Sequence, residues 1–332
     1  MARITETLIP PQQRQTAEAL ADALDLGYGD KVSKRTGFMI MLTLAGMIAI
    51  AGVLTDSTAT VIGAMIIAPL GTPILGIGLG IVTGHISLVV RSILWVLIGL
   101  AVVVVLGLVF SVFVATPESL ATNSQVVGRT SPSLMDLLAA LATGFAGGFA
   151  MCRKDLSAVL PGVAISISLV PPLGVVGVCA GQGLWEDALG ALVLFLSNVL
   201  ALVIAGTIVF TVGGYAREPG SSRTANRRRA YIVVTVLAVV VALPLAVNSV
   251  VTVALARWSV TIQTLTTQWL EGETDAQVYD VTWRGATATV DVTTADGRVP
   301  PIDELQKSLS TAIPDFIGVV LDVGQATDVV VQ

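Results

Sequence analysis

Seven runs along the chain carry no Asp, Glu, Lys, Arg or His: residues 36–55, 57–84, 92–117, 137–152, 156–185, 188–216 and 230–256. A hydrocarbon core of about 30 Å takes about 20 helical residues to cross, so each run predicts a membrane-spanning helix. The second run, DSTATVIGAMIIAPLGTPILGIGLGIVTG when Asp56 is included, is too long for one straight crossing and carries Pro69 and Pro73 near its middle. Proline removes a backbone donor and clashes with the preceding turn, and Gly71 between the prolines weakens the helix further. This span is expected to break there. The fifth run, DLSAVLPGVAISISLVPPLGVVGVCAG, is expected to break at Pro171 and Pro172, with an earlier kink at Pro161.

Before the first run, PPQQRQTAEALADALDLGYG (residues 10–29) has an amphipathic pattern that opens on proline and closes on glycine. It predicts a helix over 10–27 lying on the membrane surface or against another subunit. After the last run the pattern changes character. WSVTIQTLTTQWLEGETD reads as a helix, and DAQVYDVTWRG and ATATVDVTT alternate like strands. PIDELQKSLSTAI (301–313) reads as a second helix, with a final strand over 317–331. The result is an α-β-β-α-β module of some 75 residues, small for an independent core and expected to pack on copies of itself or on the membrane body.

Composition agrees with a lipid-solvated body: 54% of residues are hydrophobic and 12% charged, against about 25% charged in a soluble domain. The first 35 residues lack an apolar core followed by a small-residue cleavage site, so the first span is expected to act as the insertion signal. Cys152 and Cys179 fall at the edge of one apolar run and inside another and suggest no disulfide or metal framework. His85 stands without neighbouring Cys, Asp or Glu, which leaves zinc or haem nothing to bind.

Charge in the loops predicts orientation. With all seven runs crossing, 13 Lys and Arg residues fall on one side: Arg3, Arg14, Lys31, Lys34 and Arg35, then Arg91, Arg153 and Lys154, and five arginines in 217–229. The opposite short loops hold only Arg129. The positive-inside rule places the N-terminus in the cytoplasm and the C-terminal module outside it. A rival arrangement, with 57–84 and 156–185 as re-entrant hairpins, gives a balance of 11 against 3 and is less favoured. The basic loop at 217–229 could also hold anionic lipid head groups.

Sliding the chain against itself by 99 residues aligns Asp56 with Asp155, Gly63 with Gly162, Pro73 with Pro172, Gly78 with Gly177 and Gly107 with Gly206. Three spans per copy is an odd number, so the two copies are expected to lie antiparallel, as in transporters whose site sits near the midplane between broken helices. Broken backbone at membrane depth is tolerated where protein or a water-filled cavity satisfies it. Half-helix N-termini favour an anion or polar acceptor, and freed carbonyls favour a cation such as Na⁺. The candidate substrate-binding residues are therefore Pro69, Gly71, Thr72, Pro73, Ser166, Ser168, Pro171, Pro172 and Asn198. Asp56, Ser57, Asp155 and Ser157 open the two central segments as candidate helix caps or gates. No span carries an ionisable group, which argues against a proton relay.

The run STATVIGAMIIAPLGTPILGIGLGIVTG, with RKDLSAVLPGVAISISLVPPLGVVGV, resembles the bacterial and archaeal membrane family catalogued as domain of unknown function 389, over about residues 36–215. The resemblance implies a multi-span membrane fold and brings no substrate or catalytic residue with it.

The expected architecture is an all-α polytopic membrane protein of seven transmembrane segments, built as a 3+3 inverted repeat around proline-broken helices, plus a small C-terminal α+β domain. Its divisions are a cytoplasmic arm (1–35), repeat 1 (36–116), an extracytoplasmic loop (117–132), repeat 2 (133–216), the basic loop (217–229), a seventh helix (230–257) and the domain at 258–332. The expected function is secondary transport of a small anionic organic solute in the plasma (inner) membrane, with Na⁺ as candidate coupling ion and a homo-oligomer as the assembly. A channel and a sensor using the C-terminal domain are the alternatives. No nucleophile, base or metal cluster points to an enzyme, no other cofactor is expected, and nothing suggests nucleic acid.

Overall fold

The computed structural model describes residues 9–114, 116–130, 134–159, 169–217, 254–270, 276–284, 287–294, 299–314 and 316–325, with isolated positions between 232 and 250. The chain divides into two units, residues 1–247 and 248–332.

In the first unit the apolar runs become α1 (Ala17–Leu24), α2 (Lys31–Leu54), α3 (Thr58–Ile67), α4 (Gly71–Thr83), α5 (Ile86–Phe110), α6 (Glu118–Ala121), α7 (Ser124–Thr130), α8 (Leu134–Cys152), α9 (Val170–Gly181) and α10 (Trp185–Val212). Among the described residues, four helices are long and apolar enough to cross a membrane, namely α2, α5 with its short 3₁₀ extension, α8 and α10. The pair α3–α4, bent by 47°, counts as a fifth if it is one broken span. Most of the seventh run, and residues 160–168 of the fifth, lie outside the described residues.

The helices start and stop for local reasons. Asp30 accepts the Ser33 amide at the start of α2, and Ser57 accepts the Thr60 amide at the start of α3, satisfying N–H groups that lack an intrahelical partner. Gly84, at φ 74°, ends α4 in the left-handed conformation that favours glycine.

Two sequence expectations need correction. The arm's α-helix covers only Ala17–Leu24, because Pro10 to Arg14 form a turn followed by a single antiparallel bridge between Arg14 and Arg153. Nor does the arm lie free: Leu20 and Leu24 are buried in a cluster with Leu75, Leu79 and Val82 of α4 and Phe210 of α10. Arg91, read as a loop residue, sits in the second turn of α5, where Asp25 neutralises it in a bidentate ion pair.

Two close crossings fix the centre of the bundle. Half-helix α4 crosses α10 where a Cβ on Gly78 would stand 3.1 Å from the Thr207 nitrogen. Half-helix α9 crosses α5 where a Cβ on Gly177 would stand 2.9 Å from the Leu108 nitrogen. Small residues at such crossings let backbones pack closely where lipid supplies no hydrophobic drive.

In the second unit, β1 (Gln277–Arg284) pairs antiparallel with β2 (Thr287–Thr294), and β2 pairs parallel with β3 (Gly318–Gln325). The parallel connection runs through α11 (Ile302–Ala312). Alternation along β2 buries Ala288, Val290 and Val292 against Leu305 and Leu309 of α11 and Ile262 of the helical stretch 254–270. The α-β-β-α-β order is the one expected, and the part of the expected last strand beyond Gln325 lies outside the described residues.

Candidate functional site

The first break is three residues wide. Helix α3 ends at Ile67, Ala68 turns extended at ψ 121°, and α4 begins at Gly71 after Pro69 and Leu70. The Thr72 amide donates to the Pro69 carbonyl at 3.2 Å, and the Ile74 amide reaches Leu70 at 3.4 Å. Pro69 thus lies in the break, whereas Pro73 lies in the first turn of α4, where a missing N–H costs nothing because that donor has no intrahelical partner. Pro171 and Pro172 take the same place at the start of α9. Pro69 and Pro73 therefore mark where a second half-helix begins rather than kinking a continuous one, while residues 160–168 before α9, with the expected kink at Pro161, lie outside the described residues. Pro69, Gly71 and Thr72 are partly exposed, and Pro73, Pro171 and Pro172 are buried.

The two half-helix starts border one apolar cluster, in which Leu70 and Ile74 join Leu169, Val170 and Leu173, with Leu42, Val103, Phe195 and Leu202. Gly99 on α5 leaves room for Leu70, since a Cβ there would meet its Cδ2 at 2.6 Å. Asn198, on α10 at the position a 99-residue shift equates with Gly99, is 5% exposed. The hydroxyl of its neighbour Ser197 is taken by the Leu194 carbonyl at 2.8 Å. Ser166 and Ser168, expected beside the second break, lie outside the described residues, as does the side chain of Ser157.

Thr207 carries no signal in the sequence. It is 4% exposed at the α4–α10 crossing, and its Oγ1 has no hydrogen-bond partner among the described residues. A buried hydroxyl left unpaired costs about 1–3 kcal/mol. Thr in an apolar helix ordinarily bonds the carbonyl one turn back, as Thr211 does to Thr207 at 2.7 Å, so only its adjacency to Gly206 could have drawn notice.

The four gate candidates split into different roles. Asp56, at φ 51°, does not cap its own helix; Ser57 does that. Its carboxylate accepts the Ser124 hydroxyl at 2.6 Å and the Gln125 amide at 3.2 Å, tying the start of α3 to α7. The Ser124 hydroxyl, followed by the backbone amides, holds the Asp56 carboxyl below its ordinary range. The same end of the bundle is closed by Asn123 Nδ2 donating to the Val53 carbonyl at 2.8 Å, and by the Thr130 carbonyl lying against Gly190 of α10. Asp155, in the aligned position, instead receives Arg153 through Nε at 3.0 Å and Nη2 at 2.6 Å, and that pairing lowers its pKa. Two aspartates at equivalent positions therefore serve unlike contacts. Among the described residues no group of three or more His, Cys, Asp and Glu gathers to hold a metal.

In the second unit a groove of about 410 Å³ runs beside α11 and β3, lined by Leu305, Leu309, Ile313, Ile317, Val319 and Leu321 among others. Its lining is largely apolar.

Residues 65–204, from α3 through both half-helix starts and into α10, match the model of the family described as "Domain of unknown function (DUF389)". The chain is 34% identical over 176 residues to the "Uncharacterized protein MJ0678" of Methanocaldococcus jannaschii, an alignment covering 53% of this chain and 54% of that protein. The chain thus spans about half the length of the curated relative it matches. No solved structure matches it.

Proposed function

We propose, for a chain whose residues 65–204 match the DUF389 family model, secondary active transport of a small anionic organic solute across the membrane, with Na⁺ as the candidate coupling ion. The observation that carries this reading is the exchange of contacts between the two halves. Gly78 of α4 meets the Thr207 nitrogen of α10, and Gly177 of α9 meets the Leu108 nitrogen of α5. A shift of 99 residues converts the first pair into the second. The same shift converts Leu75 against Gly206 into Gly174 against Gly107, which are also neighbours. Reciprocal contacts of this kind are what a two-fold relation between duplicated halves produces. With three spans per half, the halves are antiparallel, and the site lies at the axis, where the half-helix starts meet.

Full crossing of the broken segments is supported by which charges share an end of the bundle. The arm's Asp25 pairs with Arg91, and its Arg14 bridges to Arg153, so the arm and both basic turns lie together. Asp56 meets Ser124, placing those loops together as well. Re-entrant hairpins would put the partners of each contact on opposite sides. The membrane then holds seven crossings, with the N-terminal arm cytoplasmic.

The start of α4, with Gly71 and Thr72 partly exposed, supplies the Gly71 amide and the Thr72 hydroxyl for a carboxylate, and Asn198 and Thr207 supply uncharged polar groups. The test is uptake of labelled short-chain mono- and dicarboxylates into vesicles reconstituted with the full chain, with and without a Na⁺ gradient. Saturable, gradient-dependent uptake that falls at least tenfold in Pro69→Ala with Pro172→Ala is expected. Unsaturating single-channel currents would replace the transporter by a channel. The groove beside α11 and β3 favours a second reading, a sensor, against which full uptake after deletion of residues 258–332 would argue.

A further inference from the structure

We propose that the N-terminal arm is a releasable strap that closes one end of the membrane body by binding both of its halves at once. This rests on the two-repeat reading above, but not on the identity of any solute.

Beside the burial of Leu20 and Leu24 and the Asp22–Lys34 ion pair with α2, four polar or close backbone attachments are divided between the halves. To the first half it gives Asp25, 6% exposed, whose carboxylate grips Arg91 through Nε at 2.8 Å and through Nη2 while accepting the Gly27 amide at 2.7 Å. Also on the first half, the Leu24 carbonyl lies where a Cβ on Gly76 of α4 would stand, 2.8 Å away, so Gly76 is the position that admits the arm. To the second half it gives a short ladder around the Arg14–Arg153 bridge, with the Gln15 amide donating to Cys152 at 2.9 Å and the Lys154 amide donating to Gln13 at 2.8 Å. Also on the second half, Arg14 donates to the Gly213 carbonyl at 3.0 Å and lies over the ring of Tyr215, whose hydroxyl donates to the Gln15 carbonyl at 2.8 Å. The arm therefore spans from the half-helix of one repeat to the turn that opens the broken segment of the other.

Its construction suits release rather than permanent packing. The α-helix is only eight residues long, too short to persist in water on its own, so leaving its seat also melts it. It joins α2 through DLGYGD, where Gly29 stands at φ 65°, a conformation that lets the chain turn without strain. The Arg91 side chain is 34% exposed, so water reaches the ion pair that holds the arm to the first half. The halves cannot move apart at this end while all four attachments hold.

Hydrogen–deuterium exchange on the full chain in lipid nanodiscs tests the strap. Asp25→Asn is expected to speed exchange over residues 17–24 at least tenfold and to raise it in α4 beneath them, leaving α8 unchanged. The charge-swapped pair Asp25→Arg with Arg91→Asp is expected to restore slow exchange. Arg14 and Arg153 form the non-hydrogen-bonded kind of antiparallel pair, whose Cα separation of about 4.5 Å suits a disulfide. In a Cys152→Ala, Cys179→Ala background, Arg14→Cys with Arg153→Cys should therefore cross-link under oxidation and slow the arm's exchange reversibly. Should Asp25→Asn fail to fold, this reduction-dependent change carries the test alone. Exchange that rises equally in α4, α8 and α10, or that does not respond to either variant, overturns the strap. Where uptake is measurable, cross-linking should stop it and reductant restore it. Full uptake through the cross-linked protein also overturns the proposal while leaving transport standing, whereas absent uptake with a releasing arm removes transport and leaves the strap.

Discussion

Gly177 and Gly107 meet backbone to backbone: a Cβ added at Gly177 would stand 2.7 Å from the Gly107 Cα, with the Val104 carbonyl and the Leu108 nitrogen close on either side. The obstructing atoms are main chain, so no side-chain rotation can make room. Gly177→Ala is therefore expected to destabilise the protein by about 2–3 kcal/mol, the upper range for overpacking. At the reciprocal crossing a Cβ on Gly78 would meet nothing nearer than 3.1 Å, and Gly78→Ala is expected to cost less, about 1 kcal/mol. Gly63→Ala, with no atom within 4 Å of its added Cβ, serves as control and gains up to about 1 kcal/mol of helix propensity. Thermal unfolding in one detergent ranks the three. An order in which Gly78→Ala is the worst would remove the backbone contact as the cause.

How much of this was legible beforehand depends on whether the cause was local. The break near Pro69 could be read because proline chemistry acts within one turn. The break is narrower than the stretch from Pro69 to Pro73 because Pro73 is harmless in a first turn, a distinction that needs the helix start to be known. The strands of the C-terminal unit could be read from alternation, since one face of β2 is buried and the other is not. The docking of the arm could not. An amphipathic pattern declares that one face will be covered, not by what, and the covering surface is α4, more than 50 residues away. Arg91 was misplaced for the same reason, because the carboxylate that permits it inside a helix is 66 positions distant. Thr207 was invisible, since nothing in a sequence separates a hydroxyl bonded to its own helix from one left unpaired.

Asp56 should make the α3–α7 contact acid-labile. Its folded pKa is depressed below 3.8, chiefly by the Ser124 hydroxyl. The stabilisation is therefore complete above that value and is lost as pH falls through the lower folded one. Exchange at the amides of Ser124 and Gln125 is expected to accelerate only in that acid window in the native protein. In Asp56→Asn it should be fast and independent of pH across the same range after correction for intrinsic rates. A native profile without an acid step would show that the carboxylate does not hold α7.

Leu305 is 2% exposed and packs with Val290, Val292 and Ile262 in the C-terminal unit. Truncation there leaves a cavity among neighbours drawn from β2 and a separate helix, so Leu305→Ala is expected to cost about 2–5 kcal/mol. Because this core is separate from the membrane clusters, the loss should appear as faster exchange over β1, β2 and α11 with α4, α5 and α9 unchanged. Equal loosening in both units would mean that they fold as one cooperative body.

Asn198 gives the sharpest separation between packing and binding. It lies 5% exposed on a helix whose neighbouring residues Phe195 and Leu202 belong to the apolar cluster around both half-helix starts. Replacing a buried amide by an apolar residue of similar size strands whatever polar group it meets, at about 1–3 kcal/mol. Asn198→Leu is accordingly expected to lower the melting temperature only by the shift that such a loss produces, leaving a folded protein for the uptake assay. A group that reads the solute behaves otherwise: uptake should fall at least tenfold, because the solute's polar atom then faces a methyl group in a dry site. Asn198→Ser, which keeps a polar group but shortens it, should fall between the two. If Asn198→Leu retains native uptake, the solute is not read by Asn198, and the Gly71 amide and the Thr72 and Thr207 hydroxyls must recognise it without this side chain.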